Sequence, residues 1–240
     1  GVLLSTVCFA QNSSSDFGIG LLVCNTEYPL IFFKKKSDKI PLDTLKFEPR
    51  ENETTKFASK LNLKAYKMSE GDTKEEAKEH EESFGFSFSP RLTFRVLKNE
   101  KNFFLVRINE KTYEKLYLKK EKDATYYKNS KEAEKNNCAN CEGSNFNPKR
   151  YIYNSWDDYL KKAELIRKRN AIIYDEPNGE VIFDDNTNNE LNFKVLEVDG
   201  EWIKVKKSDR GNNNPFEKTG WMKWIENGKK IIEITEIVII

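Results

Sequence analysis

Histidine is nearly absent from this chain, which limits the chemistry that the protein can carry. His80 is the single histidine in 240 residues, and it stands between Glu79 and Glu81 in an acidic run. Neighbouring carboxylates stabilise a protonated imidazole, so His80 is a poor candidate for the neutral base that activates a nucleophile. Catalytic zinc sites are generally built from several histidine, cysteine or carboxylate ligands. We therefore expect no enzyme, no metal site and no cofactor.

An excess of charge of either sign is also missing. The chain has 41 basic and 39 acidic residues, a net charge of +2, so no overall field favours binding to nucleic acid. It has no run of about 18 apolar residues, so we expect no transmembrane helix. Aromatic residues nevertheless reach 12%, which is too many for a disordered chain. Two small domains fit this composition better than one large core does.

A short apolar run, residues 2–10 (VLLSTVCFA), stands before a polar stretch at the N-terminus. The small residues Cys8 and Ala10 precede the Ala10–Gln11 bond, as small residues do at a signal-peptide cleavage site. Two interpretations stay open: residues 1–15 are the remnant of a signal peptide, or they are an N-terminal extension that supplies a first strand. The first interpretation predicts an exported protein, either periplasmic or extracellular.

Cysteine is scarce as well, with four residues in the chain. Cys138 and Cys141 form a C-x-x-C pair in a polar stretch that is rich in Lys and Asn. In an exported protein this pair can form a local disulfide, as can Cys8 with Cys24. A zinc site would need a second close pair of ligands, and a thioredoxin-like site would need a βαβ context. A local disulfide and a pair of reduced thiols therefore stay open.

The C-terminal third has the pattern of short strands separated by turns. Leu191, Phe193 and Val195 alternate with polar residues, which places them on one face of a strand. The pairs 178–179 (NG) and 199–200 (DG) are turn signals. Several short strands with turns between them predict a small β-barrel.

Three blocks of sequence occur twice in the same order. Residues 92–97 (LTFRVL) match residues 191–196 (LNFKVL) at an offset of 191 − 92 = 99, which carries Phe103 onto Trp202 without a gap. The other blocks pair residues 31–33 with 172–174 and residues 117–119 with 221–223. Each block agrees on its buried face, so the chain is predicted to contain two copies of one unit.

We therefore predict a mainly β fold of two small barrels joined by a linker helix. The first barrel is assigned to residues 16–125 with an insertion at 44–91, the polar linker and helix to 126–170, and the second barrel to 171–240. Ser155 with Asp158 resembles a helix capping box. An apolar stripe at helical spacing follows, formed by Trp156, Tyr159, Leu160, Ala163 and Ile166. We expect this helix to pack against one or both barrels.

The second copy resembles the bacterial SH3-like (SH3b) domain family of exported and cell-wall proteins. The resemblance rests on residues 172–177 (IIYDEP), 193–205 (FKVLEVDGEWIKV) and 219–222 (TGWM), which together cover about 60 residues strongly. The first copy is covered through the internal repeat, and it has Leu116 and Tyr117 where the family has Gly-Trp. The resemblance implies SH3-like barrels that act as binding or targeting modules for peptide or peptidoglycan.

Four residues are candidates for a ligand-binding groove in the second copy. Tyr174 and Asp175 end a strand and enter a loop, and Trp202 adds a flat ring of large apolar area. Trp224 has no place in the core pattern, so we expect it to be partly exposed. A competing interpretation places Trp202 and Trp221 in the core of so small a barrel.

The sequence thus favours a non-catalytic exported binding protein that recognises a peptide, a peptidoglycan fragment or an envelope protein. An alternative function is a structural or assembly component of a cell-envelope complex, without a groove for a small ligand. A concave groove lined by aromatic rings would favour the first function, and a broad flat apolar patch would favour the second.

Overall fold

The computed structural model describes residues 17–49, 55–70, 90–140, 142, 145–210 and 214–235. Within these residues the fold is mainly β, as predicted, with two short helices. The chain divides into two compact units, Ile19–Glu164 and Leu165–Ile234, which we call the N-terminal unit and the C-terminal unit. Phe17 and Gly18 group with the C-terminal unit. The predicted signal-peptide remnant at 1–15 and His80 lie outside the described residues.

The N-terminal unit consists of ten strands and two helices among its described residues. These are β1 (Gly20–Val23), β2 (Leu30–Phe33), β3 (Asp43–Pro49), β4 (Thr55–Ala58), β5 (Lys67–Ser69), β6 (Arg91–Asn99), β7 (Phe103–Arg107), β8 (Lys115–Lys119), β9 (Thr125–Tyr127), α1 (Ser130–Asn136), β10 (Arg150–Ser155) and α2 (Trp156–Lys162). The strands follow the spatial order β4-β3-β2-β8-β7-β6-β1-β10-β9, and β5 pairs with β6. Two strands of the predicted insertion, β4 and β5, therefore extend this sheet.

The C-terminal unit is built from shorter strands around its own core. These are β11 (Leu165–Arg169), β12 (Ile172–Tyr174), β13 (Val181–Asp184), β14 (Glu190–Asp199), β15 (Trp202–Lys207), β16 (Thr219–Lys223), β17 (Ile225–Glu226), β18 (Lys229–Lys230) and β19 (Glu233–Thr235). The main sheet has the order β13-β12-β16-β15-β14-β11-β19, and β17 pairs with β18. The centre of this core is formed by five fully buried side chains, those of Ile166, Ile173, Phe193, Ile203 and Val205.

Six strands repeat between the units in the same chain order and the same spatial order. The order β3-β2-β8-β7-β6-β1 in the N-terminal unit corresponds to β13-β12-β16-β15-β14-β11 in the C-terminal unit. Val96 lies opposite Val106, and Val195 lies opposite Val205. Each ladder then shifts its register one residue after that first valine, as a β-bulge does. The repeat found in the sequence is therefore a repeat of strand register as well.

The strand pair β1 and β11 extends the repeat beyond the three sequence blocks. Leu22 of β1 lies opposite Phe94, and Ile166 of β11 lies opposite Phe193, its counterpart at the offset of 99. Both strands are short, and their sequences share little beyond an apolar residue at this place. The sequence alone therefore gives no basis for aligning β1 with β11.

The predicted linker helix is shorter than its apolar stripe. Helix α2 has Ser155 as its N-cap and ends at Lys162, and the backbone of Ala163 is already extended. Ile166 lies in strand β11, so the prediction that it continues the helix stripe is wrong. Trp156 and Leu160 are buried within the N-terminal unit, where α2 packs on β1 and β10.

Closure of the two sheets into barrels is not observed. The strand paths end at β4 and β9 in the N-terminal unit and at β13 and β19 in the C-terminal unit. No ladder among the described strands joins the two ends of either path. The mainly β fold class is confirmed, and the barrel form of each sheet is not.

Gly220 shows how tightly strand β16 packs against its neighbours. A Cβ atom at this residue would lie 2.5 Å from Cγ2 of Ile173, 2.8 Å from the carbonyl oxygen of Tyr174 and 2.9 Å from Cδ1 of Ile182. The corresponding residue of the N-terminal unit, opposite Val106, is Leu116. In the C-terminal unit, Ile173 and Ile182 therefore occupy the space beside Gly220, whereas the N-terminal unit has the side chain of Leu116 there.

We predict that Gly220→Ala lowers the free energy of unfolding by about 1–3 kcal/mol, because the backbone carbonyl of Tyr174 cannot move away cheaply. Urea unfolding monitored by tryptophan fluorescence measures this change. Gly200→Asn is the control, since Gly200 has a positive φ of 55° with open space around it, and asparagine tolerates that conformation. Equal stability of Gly220→Ala and the unaltered protein would contradict the packing described here.

Candidate functional site

The sheet of the C-terminal unit carries aromatic rings on the face opposite its core. Ile203 and Val205 of β15 are fully buried, so the alternate residues Trp202 and Lys204 face the other side. Trp221 of β16 lies opposite Lys204 and also opposite Tyr174 of β12. Tyr174, Trp202 and Trp221 therefore share one surface, which we call the outer aromatic face.

The rings of the outer aromatic face pack edge to face and are flanked by amines. The centroids of Tyr174 and Trp202 are 5.2 Å apart at an interplanar angle of 88°. The Nζ atom of Lys223 lies 5.4 Å from the Trp202 ring, and that of Lys204 lies 5.8 Å from the Trp221 ring. Such contacts are cation–π interactions, which favour a positively charged group over an indole.

The polar residues around the rings give this face a positive charge. Lys204 forms an ion pair of 3.0 Å with Glu197. Lys194 lies opposite Lys206 in the ladder, and its pKa is lowered by burial and then by the charge of Lys206. The outer side of β14, β15 and β16 therefore carries four lysines, counting Lys223, and two carboxylates, Glu197 and Asp199, the second of which lies opposite Trp202.

Two exposed aliphatic residues continue the outer aromatic face toward the sheet edge. Val181 of β13 lies opposite Tyr174 and is 53% exposed. Ile172, two residues before Tyr174 on the same face of β12, is 40% exposed. The surface therefore runs from an apolar end at β13 to a basic end at β14.

The N-terminal unit carries a related but less polar surface. Phe33, Phe103 and Tyr117 occupy the positions of Tyr174, Trp202 and Trp221. The Phe33 and Phe103 rings meet at 5.8 Å and 86°, nearly the geometry of their counterparts. Leu105, only 9% exposed, stands where Lys204 stands in the C-terminal unit. The two units thus keep the aromatic rings and differ in the charge between them.

Asp175 has a structural task in the turn after β12. Its Oδ1 atom accepts hydrogen bonds from the backbone N–H groups of Glu176 and Glu180, both at 2.8 Å. These bonds hold the turn that contains Asn178, whose φ is 63°. Asp175 is exposed beside Tyr174, so it lies at the border of the outer aromatic face.

The expectation that Trp224 is partly exposed is wrong. The residue is 1% exposed, its ring meets Phe17 edge to face at 5.0 Å, and its Nε1–H donates to the carbonyl oxygen of Gly200 at 2.9 Å. It lies after the end of β16, where strand alternation gives no guide to its direction. Trp221, for which the sequence also allowed a place in the core, is instead the tryptophan that is half-exposed.

The two described cysteines, Cys24 and Cys138, belong to the N-terminal unit. Cys138 is disulfide-bonded, and its pairing with Cys141 stays a prediction because Cys141 lies outside the described residues. Cys24 is free and buried, and burial raises the pKa of its thiol. A buried protonated thiol is a poor nucleophile.

Cys24 belongs to the core of the N-terminal unit, which also contains the buried Tyr151 and the partly buried Tyr126. Tyr126 and Tyr151 stack at 5.0 Å with an interplanar angle of 16°. Burial raises the pKa of both phenols, that of Tyr126 to about 12. The Tyr126 hydroxyl oxygen accepts a hydrogen bond of 3.0 Å from the backbone N–H of Glu121. These groups are held neutral inside the core and serve its packing.

Two clefts flank strand β1 in the N-terminal unit, with volumes of about 290 and 300 Å³. Both are lined by Val23 and Cys24. A third cleft of about 220 Å³ lies at residues 119–123. None of these three clefts is lined by the rings of the outer aromatic face, so the candidate site is an open surface and not a pocket.

Comparison with family models, with curated proteins and with solved structures gives no significant match to this chain. In the described part of the chain, no helix has the length and apolar character needed to span a membrane. Among the same residues, no three histidine, cysteine or carboxylate side chains gather in a way that could hold a metal ion. The function of the outer aromatic face must therefore be inferred from its own geometry.

We predict that the free energy of unfolding falls as the pH rises from about 10 to 12, because the unfolded chain ionises its tyrosines near pH 10. Tyr126 keeps its proton in the folded state until about pH 12, so its stabilisation is complete below pH 10 and is lost above it. Tyr126→Phe should make this fall shallower in urea titrations at several pH values. Tyr113→Phe, which alters a ring that is 55% exposed, is the control. Identical slopes in Tyr126→Phe and the unaltered protein would refute this prediction.

Proposed function

We propose that this protein is a non-catalytic binding protein whose C-terminal unit recognises an acidic peptide segment on the outer aromatic face. One observation carries the proposal: both units place three aromatic rings at corresponding positions on the side of the sheet away from the core. Rings in these places are not needed to fill the core. Aromatic side chains supply large contact area at low entropic cost, which suits them to recognition.

The charge of the outer aromatic face favours an acidic ligand. Lys204 and Lys223 lie beside the indole rings, and Glu197 is already paired with Lys204. A ligand carboxylate can pair with these amines while an apolar side chain covers a ring. Peptides that carry carboxylates occur in cell-wall fragments and in envelope proteins, the partners expected from the sequence.

A binding role without catalysis agrees with the groups that this face brings together. Its polar side chains on β14, β15 and β16 are four lysines and the carboxylates Glu197 and Asp199, and these described residues include no neighbouring pair of nucleophile and base. Cys24, the free thiol of the described residues, is buried in the other unit. The outer aromatic face is thus suited to contact and not to bond cleavage.

The proposal includes two copies of a small SH3-like β-domain in an exported protein. The repeated order of six antiparallel strands supports a duplicated domain. The bonded state of Cys138 supports export, because disulfides persist mainly in oxidising compartments. The apolar run at residues 2–10 points to the same compartments.

A second function, docking on a partner protein in an envelope assembly, is favoured by the N-terminal unit. Phe103 and Tyr117 are partly exposed on the outer side of its sheet, and Leu105 stands between them where the C-terminal unit has Lys204. An apolar surface of this kind suits a lasting protein contact better than a soluble charged ligand. The two functions differ in which unit carries the binding energy.

We predict that Trp221→Ala weakens binding of an acidic peptide at least about tenfold, because hot-spot aromatic residues commonly contribute this much. The probe is a linear peptide selected by the full chain from a random 12-residue phage library and then measured by fluorescence polarisation. Purified peptidoglycan in a pull-down is the second probe. Binding should also weaken as salt is added, because the lysines are screened.

Tyr117→Ala, which removes the corresponding ring of the N-terminal unit, is the matched control and should retain affinity. If the selection yields no binder, or if its binders lack acidic residues, the proposed recognition is wrong. A loss of binding in Tyr117→Ala with none in Trp221→Ala would favour the docking function instead.

A further inference from the structure

The loop between β13 and β14 is rich in oxygen ligands. Every residue in the segment 184–190 (DDNTNNE) carries a side-chain oxygen. Asn186, Thr187, Asn188 and Asn189 are exposed, and Asn188 has a φ of 59°. Oxygen-rich loops are common ligands of hard cations, but such a composition alone does not make a site.

The burial of Asp185 is not explained by the oxygen-rich composition of the loop. Asp185 is 5% exposed, and its backbone N–H donates to the carbonyl oxygen of Ala171 at 2.9 Å. The Oδ1 atom accepts hydrogen bonds from the backbone N–H and the hydroxyl group of Thr187. These two bonds turn the carboxylate toward the loop. The Oδ2 atom is buried and has no hydrogen-bond donor among the described residues.

The charge of this carboxylate is not balanced by a described basic side chain. The two arginines near the loop form ion pairs with Glu190, at 3.8 Å for Arg167 and 3.6 Å for Arg169. Asp184 adds a second, exposed carboxylate next to Asp185. A buried charged oxygen without a partner is costly, and an ion or an ordered water commonly accounts for such an atom.

We propose that the loop at residues 184–189 binds a calcium ion, with Oδ2 of Asp185 as its anchoring ligand. Calcium takes six to eight oxygen ligands in a flexible geometry, which carboxylate, amide, hydroxyl, carbonyl and water oxygens together can supply. The expectation of no metal site rested on histidine, cysteine and catalytic zinc, and an oxygen-only site depends on none of them. Extracellular calcium sites are typically weak, with dissociation constants of about 10⁻⁴–10⁻³ M, which suits an exported protein.

The test measures the melting temperature of the chelator-treated full chain as calcium chloride is added. We expect a saturable rise at calcium concentrations of about 10⁻⁴–10⁻³ M, because a ligand of the folded state stabilises it. Sodium chloride of equal ionic strength should not reproduce the rise. Equilibrium dialysis with radioactive calcium should give one ion per chain.

Asp185→Asn should abolish the calcium response. It should not lower the melting temperature of the calcium-free protein, because it removes a charge that then has no counter-ion. Asp175→Asn is the matched control, since Asp175 already holds backbone N–H groups in the neighbouring turn. Asp184→Asn, a change at an exposed residue, should weaken calcium binding severalfold. This variant replaces Asp185→Asn in the test if Asp185→Asn does not fold.

The proposal is overturned if calcium gives no more stabilisation than sodium chloride. It is also overturned if Asp185→Asn, or Asp184→Asn where the first variant does not fold, responds to calcium as the unaltered protein does. Either result would leave an ordered water as the partner of Oδ2 of Asp185. The outcome does not depend on whether the outer aromatic face binds a peptide.

Discussion

The register of one antiparallel ladder in each unit decides which side chains enter the core and which lie on the outer face. Val96 opposite Val106, and Val195 opposite Val205, are the pairs that hold the two central strands in place. Because neighbouring residues of a strand point to opposite faces, a shift of one residue would exchange the core with the outer face. The bulge that follows each pair recurs at the same place in both copies, so the direction of Phe103 and Trp202 is fixed by the same local geometry. The aromatic faces therefore depend on the valine pairs beneath them.

The cost of carrying large rings outside the core is reduced by mutual packing. Trp202 is 8% exposed and Phe33 is 6% exposed, although neither faces the interior of its sheet. Their edge contacts with Tyr174 and Phe103, and the lysine stem near Trp202, remove most of their surface from water. Trp221 keeps a larger exposed surface than Trp202, although it lies between Lys204 and Tyr174 on the two neighbouring strands. The position that a ligand can reach is thus the one where the internal packing is least complete.

Strand alternation predicted the repeat, the mainly β fold and the shared face of Leu191, Phe193 and Val195, because each depends on residues two apart in the sequence. Two errors have one physical cause, which is that the deciding contacts come from distant parts of the chain. Ile166 fits a helical stripe by spacing, but pairing with Phe193 makes it part of a strand. Trp224 is buried by Phe17 and bonded to Gly200, and no local pattern contains either contact. Trp221 joins the site only through its register with Tyr174, which a single strand sequence cannot supply.

Two differences between the copies bear on the proposed ligand binding by the C-terminal unit. On the outer face, Leu105 stands where Lys204 stands, whereas the amine beside the Tyr117 ring comes from Lys36, which is ion-paired with Glu100. Between β3, which corresponds to β13, and β6, the N-terminal unit has residues 50–90, where the C-terminal unit has only the short loop around Asp185. Both changes leave the six-strand order intact. Surface positions and loops can change without disturbing the valine pairs, because neither takes part in the ladder that fixes the fold. A duplicated sheet of this kind can change its surface residues and loops in one copy without altering the shared fold, and the proposed binding by the C-terminal unit rests on such changes.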